Sequence, residues 1–439
     1  MAEPGKTDDQ ERPKGLVGFL KSLGPGLITG AADDDPSGIA TYAQTGAQFG
    51  YGQLWTALYQ IPLLVAVQEA SARIGAVTGA GLASAIKDCY SRKVLIGLVL
   101  LLVIANTINI GADIGAVAEA ARLAVPASFV LYAVGTTILV VLLEVVIPYK
   151  TYARVLKWLA LALLSYAATA LIVQEPWRQI LEATFIPHIE FSFSFLFIIT
   201  GVFGTSISPY MFFWQASEEV EEEKAQGIPK GRDGRPRVTK AFITNMRLDT
   251  LTGMIAAEAA QWFIIITTAT VLFSHGHKTI NSAADAAKAL EPLVRSFPNS
   301  GQVARDLFAV GVVGLGLLGI PVLAGSAAYG LSEAFGWKAG LSKTFRKAPA
   351  FYGVIIASTL AGLAMNFVGI DPFKALVVSA VINGVAAVPL LFVIARLNGN
   401  RKVLGDHTGG WLSRTFVWLT FGVMALSAGA LLVTTFWKH

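Results

Sequence analysis

The chain has 439 residues, 54% of them hydrophobic and only 14% charged, with 34 basic against 29 acidic side chains. A mean hydropathy of +0.59 is more than a soluble core can bury, which excludes a soluble enzyme or binding module and places the chain in lipid. A single cysteine, Cys89, rules out an internal disulfide, a thiolate metal site and an iron–sulfur cluster.

Residues 1–15 are charged and contain no apolar run, so they read as a cytoplasmic tail without a cleavable signal peptide. Apolar runs long enough to cross a bilayer then predict membrane helices at Leu23–Gln48, Leu54–Ile74, Val94–Ala124, Phe129–Val146 and Tyr152–Val173, a first set of five within residues 16–175. A second set of five, within 190–396, covers Phe191–Ser217, Thr250–Phe273, Leu307–Leu331, Phe351–Val368 and Ala375–Ile394; Trp411–Phe436, within 410–439, adds an eleventh. With the N-terminus in the cytoplasm, the tail and alternate loops hold 26 of the 34 basic residues, which predicts a multi-pass cell-membrane protein with its C-terminus outside. The net charge of +5 is thereby explained by topology, and no nucleic-acid partner is expected. None of the five histidines (His188, His275, His277, His407, His439) lies in an apolar run, so imidazole is missing from the membrane interior.

The first span is interrupted by Ala31-Ala32-Asp33-Asp34-Asp35-Pro36-Ser37-Gly38. Three acids, a proline and a glycine are each unfavourable in the middle of a simple membrane helix. Pro36 lacks a backbone donor and disfavours helix at Asp35, leaving carbonyls free on one side and N–H groups of a restarted helix on the other. Five spans later the sixth repeats the interruption as Gly204-Thr205-Ser206-Ile207-Ser208-Pro209-Tyr210. Two prolines that merely kink packing helices are the simpler explanation. Matched breaks with adjacent acids outweigh it and point to a midplane substrate site between inverted repeats. At least one of the three aspartates is expected to cap a helix or pair with a base, and Asp35, next to the break, is taken as the ligand.

Further along, Glu69 and Arg73 are four apart and predict an ion pair near the cytoplasmic mouth. Asp113 in the third span reads as a proton or solvent relay or as a structural acid. Glu258 and Gln261 are three apart and so share one helical face.

Taken together, these stretches resemble the Nramp family. Gly24-Pro25-Gly26 followed by Asp35-Pro36-Ser37-Gly38 is similar to that family's G-P-G…D-P-G-N first helix. Gln68-Glu69-Ala70-Ser71-Ala72-Arg73 with Gly75-Ala76-Val77-Thr78-Gly79 resembles its second helix and V-T-G end. Gly111-Ala112-Asp113 resembles the A-T-D of the third helix, Leu248-Asp249-Thr250 the I-D-S of the seventh, and Leu307-Phe308-Ala309-Val310-Gly311 the L-F-A-x-G of the eighth. The likeness runs from Gly24 to about Pro389 and is that of a divergent, bacterial-type relative. It implies an all-α, LeuT-like fold of two inverted five-helix repeats with one extra C-terminal helix.

Departures from the family concentrate at the chemistry. Gly38 replaces the asparagine amide ligand, and Ser208-Pro209-Tyr210 replaces M-P-H, removing the soft thioether and a nearby histidine. Ala116 stands where the family has an acid, and Phe351–Val368 lacks its arginines, which argues against proton coupling. An oxygen-rich site of this kind suits a hard divalent cation, Mg²⁺ or Mn²⁺. Asp35 and Ser208 are the expected metal ligands, with Ser37, Gly38, Tyr210 and Gln261 lining the substrate site and Asp34, Asp113, Glu258 and Asn383 along the pathway. No resident cofactor is expected; the partners are the bilayer, the transported ion and a coupling Na⁺ or H⁺. The rival is a carrier of a small anion such as bicarbonate, or of another small solute, coupled to Na⁺ or H⁺ and cradled by the helix N-termini after Pro36 and Pro209. The negative field of Asp33, Asp34 and Asp35 favours the cation. No nucleophile motif, phosphate loop or H-E-x-x-H supports an enzyme.

Overall fold

The computed structural model describes residues 24–147, 164–173, 175–231 and 234–437. The tail 1–15 and most of the fifth expected span, Tyr152–Val173, lie outside them. The main helices are α1 (Pro25–Asp33), α2 (Pro36–Phe49), α3 (Trp55–Thr78), α4 (Leu82–Cys89), α5 (Arg92–Ala124), α6 (Phe129–Val146), α7 (Leu164–Ile172) and α8 (Trp177–Phe185). They continue as α9 (Phe193–Ser206), α10 (Pro209–Gln226), α11 (Lys240–Val271), α12 (Ser300–Phe335), α13 (Pro349–Met365), α14 (Pro372–Asn398) and α15 (Trp411–Trp437). Among the described residues the only β feature is an isolated bridge between Lys230 and Pro236.

Among the described residues seven elements, counting α9–α10 as one, are long and apolar enough to cross a membrane. The α1–α2 pair, α3, the shorter apolar α13 and the segment ending in α7 are the other four expected spans. Several helices outrun their apolar runs, because backbone hydrogen bonding continues past the last apolar residue. α10 continues through Glu218–Glu223, and α11 begins at Lys240 rather than near Thr250.

Both breaks share one local cause. α1 stops at Asp33, Asp34 has left helical geometry, and Asp35 is extended (ψ 171°) before Pro36. α9 stops at Ser206, Ile207 has left helical geometry, and Ser208 is extended (ψ 143°) before Pro209. A residue preceding proline is pushed to extended geometry, and proline is at home in the first turn of the helix that follows. Each span therefore splits into two half-helices with a two-residue linker.

The split helices lie antiparallel, α1 against α10 and α2 against α9. α11 runs beside both halves of the first, α14 packs on α9, and α5 packs on α12 and α14. Close approach is permitted by glycine. A Cβ on Gly30 would overlap the Gly253 carbonyl, and one on Gly204 would overlap backbone at Ala380 and Gly384. Asp249 of α11 closes the start of α1, its carboxylate accepting from the N–H groups of Gly24 (2.9 Å), Gly26 (2.7 Å) and Leu27 (3.3 Å).

α6 and α15 sit at the periphery, with only 22% and 28% of their most apolar windows buried. Leu139, Leu142, Leu426 and Val433 are exposed there, as lipid-facing side chains must be. The chain is a multi-pass membrane protein. On the face that carries its basic loops, Arg73 pairs with Glu69 (2.5 Å), as the four-residue spacing predicts. Glu69 also accepts from Arg247 (2.8 Å), and Arg73 reaches Asn398 (3.0 Å) and Ser413 (2.9 Å), so this knot ties α3, α11, α14 and α15.

Candidate functional site

The two linkers meet at the centre of the bundle and bring five carboxylates with them. Asp33, Asp34, Asp35, Asp113 and Glu258 are each at most 2% exposed. None takes part in any of the ion pairs formed among the described residues. Buried acids without a base are costly unless a cation joins them.

Asp35 is the most constrained. One oxygen accepts from Ser37 Oγ (2.6 Å) and the Gly38 N–H (2.9 Å), capping α2; the other accepts from Asn109 Nδ2 (2.8 Å). The three aspartates thus divide their roles in an order the sequence did not show. Asp35, expected as the ligand, is also the cap, while both oxygens of Asp33 and one of Asp34 hydrogen-bond to no described residue. The oxygen that Asn109 holds keeps a lone pair for a metal, whereas the other spends both of its own on the cap.

Asp113 enters from α5, close to the Ser37 backbone and with no side-chain partner among the described residues. A Cβ on Gly319 of α12 would lie 2.9 Å from Asp35 Cβ and 3.9 Å from Asp113 Oδ2, so this glycine leaves the space that both acids face. Asn106, Asn109 and Asp113 recur at helical spacing and form a polar stripe on α5. Tyr210 reaches across from α10 and donates to the Ala32 carbonyl (3.1 Å).

Ser208 is at the break but turned away. Its hydroxyl donates to the carbonyls of Gly204 and Thr205 (2.8 Å to the latter), satisfying the end of α9. Ser37 donates to Asp35, and Gly38 opens a gap in which a Cβ would lie 3.1 Å from the Asp33 carbonyl oxygen and 3.2 Å from Thr205 Oγ1. That Thr205 hydroxyl, 1% exposed, has no hydrogen-bond partner among the described residues.

Glu258 and Gln261 come from α11 on the other side of the break. Gln261 lies 3.3 Å from Ser206 Oγ and 3.0 Å from Thr56 Oγ1, and in the orientation that satisfies its amide the nitrogen donates to Glu258 (3.3 Å). Ser206 is bonded in turn to Tyr42 Oη (2.9 Å). Asn383 is fully buried with both amide atoms unpartnered by described residues. Sequence reasoning missed Asn109 and Thr205. The helical spacing of Asn109 to Asp113 was the available signal for the first; the second lies within the break at Gly204–Tyr210, where nothing set it apart from its neighbours.

No three acidic, histidine or cysteine side chains among the described residues gather into a metal-holding group. A metal here would be held by two carboxylates with carbonyl, hydroxyl and water oxygens, which is hard-cation chemistry. Two cavities approach from opposite faces. One of about 200 Å³ reaches Pro36 past Ile39, Phe308 and Asp371. Another, of about 400 Å³, lies on the basic face and is walled by Gly24, Glu219, Glu222 and Asp249. The carboxylates lie sealed between them.

The family model described as "Natural resistance-associated macrophage protein-like" matches residues 26–434. The chain is 26% identical over 437 residues to a protein named divalent metal cation transporter MntH from Caldanaerobacter subterraneus subsp. tengcongensis, covering 96% of this chain and 94% of that one. Its fold is similar to that of a manganese transporter of Eremococcus coleocola, with a TM-score of 0.72 at 18% identity over 95% of this chain and 87% of that one. It is also similar to MhsT, solved with L-phenylalanine, with a TM-score of 0.55 at 15% identity over 97% of this chain and 99% of the other. The all-α, LeuT-like architecture expected from the sequence is thereby shown.

Proposed function

We propose that this chain, which belongs to the Nramp family, carries a hard divalent cation, Mg²⁺ or Mn²⁺, across a cell membrane through the gap between its two helix breaks. The observation that carries this reading is the set of five buried carboxylates with no basic partner. A cation entering such a site replaces an unfavourable desolvated charge with oxygen coordination, whereas an anion would add to the repulsion. The names of the similar MntH and manganese-transporting proteins support the divalent class.

Asp35 and Asp113 are the charged ligands in this proposal. The Ala32 carbonyl and the Tyr210 hydroxyl complete a partly hydrated shell, and Ser208 joins it only after turning from α9. Oxygen donors alone make up this proposed shell, which suits a hard ion rather than a softer metal. Transport is not proton-driven: α13 carries no arginine and Ala116 cannot hold a proton. The basic face is cytoplasmic, and alternating access opens one cavity and then the other to the sealed acids.

Uptake into proteoliposomes of Mg²⁺, Mn²⁺, Ca²⁺ and bicarbonate, each with and without a pH gradient, tests the proposal. Saturable Mg²⁺ or Mn²⁺ uptake that ignores the pH gradient is expected. Bicarbonate uptake with no divalent metal moved would overturn it.

A further inference from the structure

Between α7 and α9 the chain lies outside the membrane-spanning helices, yet residues 177–189 leave five large apolar side chains open: Trp177, Leu181, Phe185, Ile186 and Ile189, each 41–60% exposed. Their order along α8 is regular. Trp177, Leu181 and Phe185 recur every four residues on one flank, Ile180 and Thr184 turn inward onto the protein, and Arg178, Gln179 and Glu182 are exposed along the other flank. With nine residues, about 14 Å of helix, α8 is too short to cross a bilayer.

A separate observation fixes the level of this segment. Three amphipathic rings from neighbouring helices reach it with their polar tips: Tyr59 Oη donates to the Phe185 carbonyl (3.1 Å), Trp55 Nε1 to the His188 carbonyl (3.1 Å) and Trp262 Nε1 to Thr184 Oγ1 (2.9 Å). Trp177 stacks on Trp262 with ring centroids 6.4 Å apart. Tryptophan and tyrosine collect where a membrane meets water, because one end of each ring is apolar and the other wet. Trp55 and Tyr59 open α3, at its end away from the Glu69–Arg73 pair and hence on the face opposite the basic loops. On either side in sequence stand exposed apolar side chains of the spans themselves, Leu171 and Ile172 of α7 and Phe191 leading into α9.

We infer that α8 and the stretch to Ile189 form an interfacial anchor in the leaflet opposite the basic face, with the five apolar side chains among the upper acyl chains and Arg178, Gln179 and Glu182 among the headgroups. A helix with one apolar and one charged flank, too short to span, partitions at this depth. The aromatic belt decides between lipid and a second copy of the chain as the cover, since a contact between proteins needs no such gradient from apolar to wet. The anchor is bonded to α3 and to α11, which carries Glu258 and Gln261, so it ties the membrane surface to helices that border the site. The inference does not depend on which ion is carried.

The full chain carrying Cys89→Ser and one new cysteine is labelled with bimane and reconstituted into liposomes. The new cysteine is Leu181→Cys or Phe185→Cys on the apolar flank, or Arg178→Cys on the charged one. Phospholipids spin-labelled near the headgroup quench from within the bilayer, and iodide quenches from water. Emission of the two apolar-flank labels should shift to the blue, be lost in liposomes containing the spin-labelled lipid and survive iodide, whereas iodide should quench the label of Arg178→Cys. Quenching of the apolar-flank labels by iodide and not by the lipid overturns the inference, as does the same response from all three labels. Protection of the apolar flank from both quenchers overturns it too, and if dilution in lipid lifts that protection the cover is a second copy of the chain.

Discussion

Asp35 shows how one side chain can combine two tasks. As the cap of α2 it satisfies the Gly38 N–H, and Asn109 fixes its second oxygen, so the carboxylate is held in place before any ion arrives. Ligands oriented in this way bind more tightly than free ones. Asn109→Ala should therefore raise the dissociation constant for the divalent ion by roughly tenfold while leaving the melting temperature nearly unchanged. Isothermal titration on the purified variant measures the first and a thermal ramp the second; unaltered affinity would assign Asn109 to packing alone. Asp35 could be singled out from its place before Pro36. For Asn109 the spacing to Asp113 marked a shared face, but its partner Asp35 could be seen only once the helix is docked.

At the scale of elements, α1 is a short helix held at both ends by others. Asp249 caps its start, Tyr210 binds the Ala32 carbonyl near its end, and Gly30 lets it lie directly on Gly253 of α11. Gly30→Ala would force the two backbones apart, costing about 1–3 kcal/mol by overpacking. A lower melting temperature together with slower ion uptake is the expected result. An unchanged thermal ramp would mean that α1 can leave α11 without cost. The prolines made the ends of these half-helices visible in the sequence, and the matching Ile207-Ser208 linker shows that the same rule was used twice.

Across the whole molecule, the orientation can be read from one native probe. Cys89 is the sole cysteine, it is exposed at the end of α4, and it lies on the basic face beside Asn400. Partial burial and the nearby Asp88 push its thiol up from the usual range, so labelling belongs at mildly alkaline pH. In right-side-out cells or vesicles a membrane-impermeant maleimide should label Cys89 only after permeabilisation. Labelling of intact cells would reverse the proposed orientation. The knot of Glu69, Arg73 and Arg247 ties the ends of α3 and α11 together on this same face.

Span lengths, the basic loops and the two proline breaks were determined by the sequence alone, because each follows from local rules about lipid, charge and backbone. The division of labour among Asp33, Asp34 and Asp35 was decided only by the tertiary structure. Adjacent acids have the same chemistry in a string of letters, and which one caps and which stays unpaired depends on what α5, α9 and α11 bring against them. The same holds for Ser208, which sits at the break as its position implies but spends its hydroxyl on the carbonyls ending α9.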